Sequence, residues 1–114
     1  MPSAAEVNPA KFSEITVLFD DGEYSVISGL FEHKRQVLGE RWNGSSAESE
    51  EGQFRGGSLG FPNVSGHAVW HVVPDFLEIP ILHGLLDRLA SQPHPQEQEY
   101  TGAILRELRR RRTP

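Results

Sequence analysis

Histidines and carboxylates are the residue types in this chain that could do acid–base or metal chemistry, so their spacing is considered first. His67 and His71 lie in His67-Ala68-Val69-Trp70-His71-Val72-Val73, a segment whose β-branched and aromatic content reads as a strand. Strand alternation puts His67, Val69, His71 and Val73 on one face. The two histidine α-carbons are then roughly 13 Å apart. One tetrahedral ion could use both only if the side chains converged and His83 or a carboxylate completed the set. No other metal-ligand spacing occurs, so no metal and no cofactor is expected. Glu40 with His71, or Asp75 beyond the strand end, could act as acid and base if burial separated their titrations. The plainer roles are a strand-edge charge for Glu40 and a helix-start residue for Asp75. Ser58 and Ser65 lack the strand–turn–helix setting of a nucleophile elbow. Gly56-Gly57-Ser58-Leu59-Gly60 has no lysine and no following helix, and so is not a phosphate loop.

Two further groups of residues could bind without catalysing. Trp42 and Trp70, with Tyr24, Phe54 and Phe61, could line an apolar pocket, with Glu40, Arg41 or His71 as polar anchors. Glu40, Arg41, Trp42, Phe61, Trp70 and His71 are therefore the candidate ligand-binding residues. The second group is basic. Residues 106–114 carry five arginines against Glu107, whereas residues 1–105 carry 15 acids against 6 bases, a balance of −9. Arg109 and Arg110 are the candidate nucleic-acid contacts. No base-reading aromatic or groove-fitting helix accompanies them, so nucleic acid is not the favoured partner. A basic tail could also meet the acidic body of a second subunit.

These residues must be positioned by the following elements. Residues 1–12 read as a loose arm. Residues 14–20 are a strand, and Asp21-Gly22 is a strong hairpin signal. Residues 23–31 form the second strand. A two-residue turn predicts Phe19 opposite Tyr24, Val17 opposite Val26 and Ile15 opposite Ser28. Residues 35–43 make a third strand paired back on the second. One of its faces reads Leu38, Glu40, Trp42 and the other Val37, Gly39, Arg41. The pattern leaves open which face is inward. A long Gly/Ser-rich connection follows over residues 43–66, its flexible part at 44–60. Residues 67–73 are a fourth strand, ended by Pro74. Residues 76–90 are a helix on which Ile79, Ile81, Leu82, Leu85, Leu86 and Leu89 fill an arc of roughly 160°. Residues 96–112 are a second helix with Tyr100, Ile104 and Leu108 on one side. The expected fold is a single α+β domain over residues 1–114: an antiparallel four-stranded sheet, ordered β-β-β-long loop-β-α-α, with helices packed on one face.

The arc is wide for a helix covering one small sheet. A homodimer closed by Ile79, Leu82 and Leu86 is therefore expected. The bulk numbers agree with a globular chain: 114 residues, 37% apolar and 24% charged. There is no cysteine, which removes disulfides and thiolate chemistry and suits the cytoplasm. No apolar run is long enough to cross a bilayer and no secretory signal is read at the N-terminus.

Gly60-Phe61-Pro62-Asn63, Trp70, Val73-Pro74-Asp75 and the leucine-rich helix together resemble small uncharacterised bacterial proteins of the integron-cassette kind, over about residues 14–90. The resemblance implies a compact, oligomeric α+β bacterial protein and supplies no catalytic residues. No motif names a reaction. The favoured expectation is a non-catalytic binding or protein-interaction module acting as a homodimer. A small enzyme using Glu40 and His71 in a sheet-lined pocket, and nucleic-acid association through the arginine tail, are the alternatives.

Overall fold

The computed structural model describes residues 12–32, 34–43, 63–64, 67–68 and 70–112. The expected 1–12 arm (apart from Phe12), the 44–60 loop, Phe61 and residues 113–114 lie outside them. The elements are β1 (Phe12–Asp20), β2 (Tyr24–Phe31), β3 (Arg35–Trp42), β4 (Asn63–Val64), β5 (His67–Ala68), β6 (His71–Val72), α1 (Asp75–Ser91) and α2 (Glu97–Arg112). A four-stranded antiparallel sheet has the order β1-β2-β3-β6, and β4 pairs with β5 separately. Two helices pack on it, so the α+β architecture expected from the sequence is the one observed.

The first hairpin turns at Asp21-Gly22 as predicted, but its register differs. Asp20 pairs with Ser25, Phe19 with Val26, Val17 with Ile27 and Thr16 with Ser28. The cause lies in the side chains of the turn. Asp21 Oδ1 accepts the amides of Glu23 and Tyr24, each at 2.9 Å, and Asp20 Oδ1 accepts that of Gly22 at 2.9 Å. Gly22 takes φ +92°, the left-handed region that glycine enters without steric cost. This holds a longer loop than the two-residue turn. Bulges between Val17 and Phe19 and between Ser13 and Thr16 then each recover one residue. By Ser13↔Leu30 the register is the one a two-residue turn would have given. One consequence is that Leu18 and Phe19, although adjacent, are both buried in the main core.

β2 and β3 pair without irregularity from Tyr24↔Trp42 to Phe31↔Arg35. The open question of the inward face of β3 is settled by packing. Leu38 joins Leu18, Phe19 and Val26 under α1 and α2, which contribute Leu82, Leu85, Leu89, Tyr100, Ile104 and Leu108. Val37 belongs to the other face, in a second cluster with Phe12, Ile27 and Trp70. That second face is thus covered by the chain itself at its centre. Gly39 allows this cover, because a Cβ there would stand 3.2 Å from Trp70 Cβ and 3.2 Å from Ile27 Cγ1.

The predicted fourth strand over 67–73 is two pieces. β5 makes a small hairpin with β4, through Asn63↔Ala68 and Val64↔His67. β6 joins the main sheet, through Gly39↔Val72 and Glu40↔His71. Trp70 lies between them with its indole buried on Ile27 and Val37. Trp70 and Val72 face this second cluster while Val73 joins the main core, as the predicted alternation has it, but His67 and His71 belong to different strands.

The helices fall within a residue or two of their predicted bounds. α1 buries Glu78, Leu82, Leu85 and Leu89, and α2 buries Tyr100, Ala103, Ile104, Glu107 and Leu108. α2 lies over β1, beside α1. The wide arc of α1 is therefore divided between the sheet and a second helix. Leu82, expected at an interface, is 0% exposed within the single chain, while Ile79, Ile81 and Leu86 are half-buried. The exposed apolar side chains of α1 are Phe76 and Leu77 in its first turn.

Candidate functional site

Alternation along β3 points Glu40 and Trp42 to the helix-bearing side of the sheet, near its hairpin end. Pairing places Tyr24 opposite Trp42 and His71 opposite Glu40. Tyr24 is diagonal to Glu40, close enough for a long side chain to reach across. The Tyr24 hydroxyl donates a short hydrogen bond to Glu40 Oε1. His71 Nδ1 stands 3.4 Å from Glu40 Oε2. The Trp42 ring lies against Tyr24, with centroids 5.0 Å apart and planes at 57°. Trp42 is 57% exposed and the His71 side chain 61%, whereas that of Glu40 is only 28% exposed. The cluster is thus a half-buried carboxylate with an exposed indole at one side and an exposed imidazole at the other.

Its electrostatics follow from this placement. Burial, then the hydrogen bond to Glu40, then the charge of Glu40 all push the Tyr24 phenol well above its ordinary range. Tyr24 remains protonated and acts as a fixed donor. Glu40 is held by a neutral group. Among the described residues no lysine or arginine lies within 4.0 Å of its carboxylate, and His71 is its sole potential cationic neighbour.

Of the six predicted ligand-binding residues, the structure brings Glu40, Trp42 and His71 together. Arg41 and Trp70 face the other way. Arg41 is 1% exposed, across the strand pair from Ser25, and burial lowers its guanidinium pKa. Trp70 is a core residue. Phe61 lies outside the described residues. Tyr24 was expected only as pocket wall; its bond to Glu40 became visible only once the diagonal pairing was known.

The acidic residues elsewhere are differently occupied. Glu78 Oε1 receives Arg111 Nε at 2.8 Å, and Glu78 Oε2 receives the Leu38 amide at 3.3 Å. Glu107 Oε1 receives Arg111 Nη1 at 2.6 Å, and Glu107 Oε2 lies 3.5 Å from Arg110 Nη2. Arg112 donates to His83 Nε2 at 2.8 Å. The arginine segment through Arg112 is therefore the last turns of α2, with Arg111 folded inward and Arg109 and Arg110 exposed. An open polar groove of about 300 Å³ at the hairpin turn is flanked by Asp21, Glu23, Arg88 and His94. There Arg88 Nη2 is paired with Asp21 Oδ2 at 3.2 Å. Among the described residues no group of three or more His, Asp or Glu could hold a metal ion, and no helix is long and apolar enough to cross a membrane.

Comparison with protein-family models, with curated proteins and with solved structures finds no match to this chain.

Proposed function

We propose that this chain is a non-catalytic binding module, acting as a homodimer, whose ligand surface is the cluster of Tyr24, Glu40, Trp42 and His71. The observation that carries the reading is an indole left 57% exposed on a rigid strand beside a carboxylate pinned by a phenol. Large aromatics with a few oriented polar groups are what binding sites use. The test is a thermal-shift screen of metabolites. A ligand of this surface raises the melting temperature of the wild type and loses its effect in W42A and E40Q. Hits that stabilise both variants as fully as the wild type overturn the assignment.

The dimer draws on Phe76 and Leu77, with half-buried Ile79 and Leu86 beside them, and not on Leu82. A monomer by sedimentation at micromolar concentration removes it. A second reading, a small enzyme, is favoured by the approach of His71 Nδ1 to Glu40 Oε2, which is the arrangement of an imidazole oriented by a carboxylate. Turnover of any screened compound that vanishes in both E40Q and H71A would favour it over simple binding. A bacterial origin of the integron-cassette kind and a cytoplasmic setting belong to the same proposal. They rest on the sequence resemblance and on the lack of cysteine.

A further inference from the structure

Resting on the binding reading above, we infer that the group taken at this surface is an organic cation, an ammonium or a guanidinium, held between the Trp42 ring and the Glu40 carboxylate. Three observations carry this. First, Glu40 differs from Glu78, Glu107 and Asp21. Glu78, Glu107 and Asp21 each meet an arginine, while Glu40 meets a phenol and an exposed imidazole. A phenol fixes the position of a carboxylate without neutralising it, so a negative charge is presented on a half-buried platform, where attraction to a cation is stronger than in open water.

Second, the neighbours of that charge are aromatic. Trp42 is two residues along the same strand face, roughly 7 Å from Glu40 between α-carbons. A cation is attracted to an indole face within about 6 Å of the ring centroid. One ammonium can therefore touch both groups. Tyr24 packs on the inner side of the indole and supports its position.

Third, the imidazole of His71 beside Glu40 is itself exposed, its Nδ1 3.4 Å from Oε2, so the carboxylate is flanked by an exposed ring on either side and not walled in.

The experiment is a nuclear magnetic resonance titration of the full chain with four probes. Choline and N-acetylarginine amide represent the two sources of such a cation, a free ammonium and a side-chain guanidinium. The carbon analogue of choline, lacking the charge, and N-acetylcitrulline amide are the neutral controls. The expected result is that at least one cation moves the Trp42 indole resonance and that its neutral control binds about tenfold more weakly. The tighter of the two cations identifies the source. W42A and E40Q each weaken cation binding by about tenfold. W42A changes an exposed side chain, so its loss cannot be attributed to unfolding. Neutral controls that bind as tightly as the cations, or an E40Q variant of unchanged affinity, overturn the cation assignment and leave the binding surface standing. If no probe, charged or neutral, moves any resonance of Tyr24, Trp42 or His71, the cation assignment falls, and the binding reading is decided separately by the metabolite screen.

Discussion

Two carboxylate clusters sit on the same side of the sheet and have been treated oppositely by the fold. At one, Glu78 and Glu107 are buried and all four of their oxygens are used: three by arginine nitrogens and one by the Leu38 amide. At the other, Glu40 is half open and, among the described residues, its oxygens meet Tyr24 and His71. The difference teaches what each is for. Burying a charge is costly unless it is paired and hydrogen-bonded, and the first cluster meets that condition by drawing Arg111 into the protein. It also has a task. The N–H of Leu38 lies beyond the end of the short β6, and Glu78 accepts it, so a helix side chain closes the sheet edge where the strand stops. Among the described residues the second cluster bears no such task, and it remains accessible, as the binding surface proposed above requires.

The contrast is open to direct attack. The largest effect is expected from R111A, which strands two buried carboxylates. A loss of about 4 kcal/mol in denaturant unfolding is expected, and a loss below about 1 kcal/mol would mean the cluster is wet. L82A follows, at about 3 kcal/mol, because this leucine is wholly enclosed and leaves a cavity. F76S, on the exposed first turn of the same helix, should change stability by no more than about 0.5 kcal/mol. E40Q keeps an acceptor for Tyr24 and should cost about 1 kcal/mol. W42A should cost less than about 0.5 kcal/mol. Should E40Q prove as damaging as R111A, the open cluster is structural and the comparison collapses.

Alkaline titration sharpens it further. Tyr24 and Tyr100 both have pKa values raised by burial, with nearby acids adding to the effect. A phenol whose folded pKa is raised contributes stability that is complete below the unfolded value, about 10, and is lost as pH rises through the folded one. Ultraviolet difference spectra should therefore show little tyrosinate at pH values where a free phenol is ionised, and unfolding should accompany its appearance. E40Q should lower the titration of Tyr24 and leave that of Tyr100 in place. Equal movement of both would show that Glu40 does not act through its bond to Tyr24.

Much of this fold was legible in the chain. Leu82, Leu85 and Leu89 on α1, and Tyr100, Ile104 and Leu108 on α2, follow the helical period, and Asp21-Gly22 marks the hairpin. The errors have local causes. The side chain of Asp21 captured two amides and lengthened the turn. The strand read over 67–73 is split into β5 and β6, although Trp70 and Val72 keep the face opposite Val73 that alternation assigns. The site was half legible: Glu40, Trp42 and His71 were named together with Arg41 and Trp70, which strand alternation sends to the opposite face. Tyr24 as the anchor of Glu40 could not be read, because a diagonal pair depends on register.

Periodicity and turn chemistry are properties of neighbours along the chain, and they sufficed to determine the α+β class, the two helices, the three long strands and the segregation of acidic body from basic end. Which carboxylate is neutralised and which is left open was decided only in three dimensions. Arg111 reaches Glu78 across 33 residues, and Tyr24 reaches Glu40 across 16. Charge pairing over such distances is set by how helices and strands come to rest on one another.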